Sequence, residues 1–143
     1  MTKFATDLPK DLVDAYKSTH FEVDLVPQFI LKIGEFNDDL QNLFTKLNCK
    51  SGCFITAFNP ESAELSAEEN KKFQESLYRD LMSSGHYVAD GFGSDPTGKW
   101  DGEPSFFVTG ISLLDAKTLG TKYGQNAIVW CDERCVPDLI LLR

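Results

Sequence analysis

From Phe54 onward the apolar residues change their spacing in a set succession, and few folds are open to a chain with that succession. Phe54-Ile55-Thr56-Ala57-Phe58 is continuous rather than alternating, the pattern of a strand covered on both faces, and Asn59-Pro60 ends it. Ser66-Ala67-Glu68-Glu69 is a capping box opening a helix whose buried stripe is Phe73, Leu77 and Leu81, up to Gly85. A strand over about His86 to Asp90 leads into the connection Gly91–Pro104, long enough to be uncommon unless it serves a function. Ser105 to Thr109 reads as the next strand. Ser112, with Asp115, then caps a helix carrying Leu113, Ala116 and Leu119, Gly120 and Gly124 close it, and Ala127 to Cys131 is a strand. The order β-α-β-β-α-β is that of the split βαβ, ferredoxin-like unit.

Before this core stand three more elements. Asp7 as cap and Pro9 in the first turn predict a helix over about Leu8 to Ser18. Phe21, Val23, Leu25 and then Phe29, Leu31, Ile33 alternate with polar residues on either side of Pro27, which predicts an edge strand with a bulge. Leu40, Leu43, Phe44 and Leu47 form a helical stripe after Asn37. The expected fold is therefore α+β. A single domain over residues 1–143 is expected to hold a mixed or antiparallel sheet, the core preceded by helix-strand-helix and followed by a C-terminal extension over 130–143. A chain of 143 residues buries roughly two thirds of its unfolded surface and needs no disulfide or metal staple.

Charge excludes some partners. Twenty-two Asp and Glu against 14 Lys and Arg leave a net charge of −8, with no basic cluster, which disfavours binding to a phosphate backbone. No apolar run approaches the roughly 18 residues of a membrane span. The opening Met1-Thr2-Lys3-Phe4-Ala5-Thr6-Asp7 has no apolar leader core, so a reducing cytoplasm and free thiols are expected, with no nucleic-acid or membrane partner.

Four stretches carry a resemblance. They are Phe54 to Pro60, Leu65-Ser66 with Glu69-Asn70, Gly93-x-Asp95-Pro96-x-Gly98-x-Trp100 with Glu103-Pro104-Ser105-Phe106, and Leu119-Gly120-x-x-Tyr123-Gly124-Gln125-Asn126-Ala127. In this order, over about Tyr16 to Val129, the chain resembles the bacterial family of domain of unknown function 3293. The resemblance implies a shared pattern and brings no activity, cofactor or substrate with it. Two positions depart: Phe58 stands where the family has Trp, and Phe73 where a basic residue is frequent.

If the fourth core strand lies beside the first, then the third, then the second, the strand ends at Asn59, Gly91, Glu103 to Ser105 and Gln125-Asn126 meet at one end of the sheet. The helix starting at Ser66 begins there too, with Asn70 one turn in. Asn59, Asn70, Asp95, Trp100, Gln125 and Asn126 are thus candidate ligand-binding residues, with Trp100 as a lid. Glu103 is the candidate general base and Ser105 a positioning hydroxyl. Each has a structural alternative as well, because Asn before Pro makes turns and amides often hold loop backbone. Asp95 and Asp101 could join Glu103 around a hard cation, although their spacing is irregular.

Cys49-x-x-x-Cys53 and Cys131-x-x-x-Cys135 should lie at the opposite sheet end. A four-thiolate zinc site is conceivable there, but ordinary reduced cysteines are the expectation and no cofactor is implied. His20 and His86 are isolated, and no acyl-transfer motif accompanies them. Three functions remain: a small-molecule or anion-binding module, which the amide-rich set favours; a hydrolase or transferase using Glu103; and a protein-interaction module using its acidic surface and edge strand.

Overall fold

Four helices and seven strands follow one another along residues 6–143, the part of the chain that the computed structural model describes. They are α1 (Lys10–Ser18), β1 (His20–Val23), β2 (Phe29–Leu31), α2 (Asp38–Leu47), β3 (Gly52–Ile55), α3 (Ala67–Ser83), β4 (Tyr87–Ser94), β5 (Glu103–Thr109), α4 (Leu113–Lys122), β6 (Ala127–Cys131) and β7 (Asp138–Leu141). The strands form one sheet in the order β2-β1-β4-β5-β3-β6-β7, every neighbouring pair antiparallel. The chain is therefore α+β, and β6 lies beside β3, then β5, then β4. The residues before Thr6, read above for a leader, lie outside the described part.

Local chemistry explains most helix starts. Asn37, Ser66 and Ser112 each accept a hydrogen bond from the backbone N–H three residues on, and Glu69 completes the box with Ser66. At α1 the expectation fails: Pro9 is the cap residue, without a side-chain bond, and Asp7 takes no part. The predicted bulged edge strand is instead the hairpin β1–β2, with Phe21 opposite Leu31 and Val23 opposite Phe29. Proline without an N–H cannot continue a ladder, so the chain leaves the sheet around Pro27 and turns back. This puts β1 inside the sheet and leaves β2 at the edge. The 130–143 stretch, expected as an extension, supplies β7 at the other edge.

Three further elements shift. β3 stops at Ile55 rather than Phe58, because the Ala57 N–H donates to Gln74 Oε1 (2.6 Å) instead of joining the ladder. Phe73 is 40% exposed, and the buried stripe of α3 runs through Asn70, Leu77 and Leu81. β4 continues through Gly91 and Phe92 to Ser94, paired on both sides, so the long connection shrinks to residues 95–102. Gly91 is a strand glycine: a Cβ there would lie 2.7 Å from Phe54 Cε2 and 2.9 Å from the Glu22 carbonyl oxygen.

The two faces of the sheet are packed unequally. On one, Ile55, Val108 and Ile128 are buried beneath Leu77 and Leu81 of α3 and Ala116 of α4. On the other, Val23, Phe54, Phe107 and Val129 meet Leu40 and Phe44 of α2, with Phe21 edge-on to Phe54 at 5.1 Å. Each such buried side chain contributes about 1.5–3 kcal/mol. The rest of this second face is roofed by α1, none of whose residues is fully buried. No helix among the described residues is long and apolar enough to cross a membrane.

The spacing around Gly91 predicts that Gly91→Ala lowers unfolding stability by about 1–3 kcal/mol through overpacking. Gly93→Ala, where the nearest atom to a Cβ is 3.8 Å away, should leave the urea midpoint nearly unchanged.

Candidate functional site

Downstream of β3 the backbone turns through three left-handed, non-glycine residues, Asn59 (φ 44°), Glu61 (φ 55°) and Ser62 (φ 61°). Such positions cost about 1–3 kcal/mol each and persist only where neighbours over-determine them. Asn59 supplies that determination. Its N–H donates to Asn70 Oδ1 and its Oδ1 accepts from Asn70 Nδ2, both at 2.8 Å. The same Oδ1 accepts from the Leu65 N–H at 3.0 Å, and Asn59 Nδ2 donates to Glu103 Oε2 at 3.3 Å. The Glu61 N–H donates to the Gly124 carbonyl at 2.7 Å. Ser62 Oγ lies 2.9 Å from Asn126 Nδ2 and 3.2 Å from the Tyr16 hydroxyl of α1.

Beneath α1, bounded by this turn and by the 98–101 loop, lies a cavity of about 550 Å³. Its apolar lining includes Leu12 and Ala15 of α1, and Phe21, Phe54, Val129 and Leu139 of the sheet. Gly93 lines it also. Asn59, Trp100, Glu103, Ser105, Gln125 and Asn126 line it as well, so six of the eight candidate residues converge. The other two do not. Asn70 is buried behind Asn59 and supports it, and no residue of α3 reaches the cavity, so its N-terminal amides do not face this space. Asp95 is spent on its own loop, its carboxylate accepting from the Thr97 hydroxyl and N–H and from the Lys99 N–H.

The amides have structural partners. Gln125 Nε2 donates to the Phe58 carbonyl at 3.1 Å and the Tyr123 carbonyl at 3.3 Å. Asn126 Nδ2 donates to Ser62 Oγ and to the Tyr16 hydroxyl, and its Oδ1 accepts from Arg143 Nη1. Ser105 Oγ donates to the carbonyl oxygen of Glu103, not to its carboxylate. Glu103 differs from the amides. Only its Oε2 has a hydrogen-bond partner among the described residues, and no buried side-chain oxygen there lacks one, so Oε1 faces open space. Burial pushes its carboxyl above the usual range, and the bond from Asn59 only partly offsets this.

A family described as "Protein of unknown function (DUF3293)" matches residues 55–128. The chain belongs to this family. Comparison with curated proteins and with solved structures finds no match. The DUF3293 segment holds the Asn59 turn, Asn70, Trp100, Glu103, Gln125 and Asn126, whereas α1 and β1, the roof and part of the floor, precede it.

All four cysteines also fall outside the DUF3293 segment, and all are free. Cys53 is buried on the face covered by α3 and α4, while Cys49, Cys131 and Cys135 pack beneath α2, so alternation along the strands separates the four thiols that the alternative zinc reading would have brought together. Burial raises the Cys53 and Cys131 thiols. Among the described residues no group of three or more His, Cys, Asp or Glu is arranged to hold a metal ion. Asp101 lines the cavity with Glu103, but Asp95 is turned into its loop.

Sequence reasoning missed Gln74, Tyr16 and Ser62. Gln74 Oε1 accepts from the Ala57 N–H and its Nε2 donates to the Pro104 carbonyl, joining α3 to β5. A signal for it exists: Asn70, Gln74, Leu77 and Leu81 share one helical stripe, which places two amides on a buried face. No local pattern marks Tyr16 or Ser62, which meet across 46 residues.

Two predictions follow from these bonds. Asn70→Ala strands the Asn59 N–H and should cost about 2–3 kcal/mol in urea unfolding. Glu103→Gln should stabilise at pH 7, because a carboxyl raised on folding costs stability above its folded pKa. That gain should fade as pH falls below the ordinary value of 4.5, where both states carry the proton.

Proposed function

We propose that this protein is a small-molecule-binding module whose ligand enters between α1 and the sheet. The observation that carries the reading is the cavity itself, about 550 Å³ with an aromatic floor and one half-buried carboxyl, within the size range of ligand pockets. We read β3-α3-β4-β5-α4-β6 as a ferredoxin-like core in which the β3 and β4 ends and the β5 and β6 starts form the pocket wall. Catalysis with Glu103 as general base is a secondary reading favoured by its raised carboxyl. It has little support from Ser105, whose hydroxyl is turned to a backbone carbonyl and makes no nucleophile–base pair.

The test fills the cavity without disturbing the fold. Gly93 lines the cavity with no atom within 3.8 Å of a Cβ, so Gly93→Leu projects a side chain into the ligand volume. In a ligand-observed NMR screen of chemically varied fragments, wild-type hits should vanish in Gly93→Leu while its urea midpoint holds. A screen without hits, or hits that persist in Gly93→Leu, overturns the reading.

A further inference from the structure

The charged side chains around the cavity are mostly of one sign. Gln125 Nε2 and Asn126 Nδ2 each donate twice within the protein, and Asn59 Nδ2 donates to Glu103 itself. What faces the space is acceptor-rich: Glu103 half-buried with Oε1 unpaired, and the exposed carboxylates of Glu64 and Asp101 at the rim. Lys99 is the only cation in the lining, against these three acids. Around them stand five aromatic side chains, Tyr16, Phe21, Phe54, Phe58 and Trp100, from four separate segments. Aromatic faces attract cations, and a carboxylate in a partly desolvated wall interacts more strongly with a cation than one in water. An anion would meet mostly like charge, three acids against one lysine.

We infer that the cavity binds an organic ammonium cation, a positively charged nitrogen on an apolar or aromatic body, with the nitrogen at Glu103 and the body between the Phe21–Phe54 floor and Trp100. This rests on the binding-module reading and specifies its ligand class. The neutral walls of Leu12, Ala15 and Val129 accept the body, and the pairing of charge with Glu103 gives the orientation.

The test uses matched probes on the full chain, with binding followed by titration calorimetry and ligand-observed NMR. The probes are 2-phenylethylammonium and phenyltrimethylammonium, the neutral 2-phenylethanol and the anionic 3-phenylpropanoate. The ammonium probes should bind at least about tenfold more tightly than the alcohol, with the carboxylate weakest. Glu103→Gln should erase most of that preference while leaving the alcohol's affinity unchanged, and Trp100→Ala should weaken all the probes. Binding of the carboxylate as tight as that of the ammonium, or an ammonium preference that survives Glu103→Gln, overturns the inference. If the ammonium probes fail while neutral or anionic fragments bind and are lost in Gly93→Leu, the ligand class is wrong and the binding module stands. If nothing is displaced by Gly93→Leu, both fall.

Discussion

The reciprocal pairing of Asn59 with Asn70 is the interaction on which the rest of the site depends. It uses both the backbone and the side chain of Asn59, and so holds a residue in a conformation that an unsupported asparagine would seldom keep. Everything beyond it is positioned by consequence. The remaining Asn59 amine reaches Glu103 on β5, the turn carries Ser62 to Asn126 and Tyr16, and the Gly124 carbonyl anchors Glu61. A pair between α3 and the turn after β3, Asn70 buried and Asn59 half-buried in the cavity wall, thereby sets the geometry of the cavity.

That cavity exists because the two halves of one sheet face are covered differently. α2 covers its half by apolar packing, with Leu40 and Phe44 in the core. α1 buries no residue completely, and Tyr16 ties it to Ser62 and to Asn126. Segments held by few buried apolar contacts open at lower free-energy cost than the core, so the roof of the cavity is the part of the fold best able to admit a ligand.

Much of this was legible in the sequence because it rests on local rules. The caps at Asn37, Ser66 and Ser112 act within three residues, and the succession of spacings from Phe54 yields the helices and strands of the core in their right order. The meeting of Asn59, Glu103, Gln125 and Asn126 followed from strand order alone. What local reading could not reach depends on contacts between distant residues. Phe73 looked like core by spacing, but the Asn70 and Gln74 bonds rotate α3 so that it faces out. The Gly91 segment looked like a loop because one of its two strand partners, Val23 of β1, lies far off along the chain. The amides looked like ligand groups because their structural partners were invisible, whereas Glu103, read from the sequence as the candidate general base, is the member of the set whose carboxylate keeps an oxygen without a partner.

The pairing pattern of the sheet also bears on how it assembles. β1–β2, β4–β5 and β6–β7 are hairpins, each joining neighbours in the chain. β3 has no such neighbour and pairs only with β5 and β6, at separations that close long loops. Contacts of that kind are slow to form, so three hairpins can arise independently while β3 waits for two of them to dock. The Asn59 turn is the continuation of β3. The binding space is therefore a late product of folding, absent from any partly folded form in which β3 has not yet been inserted.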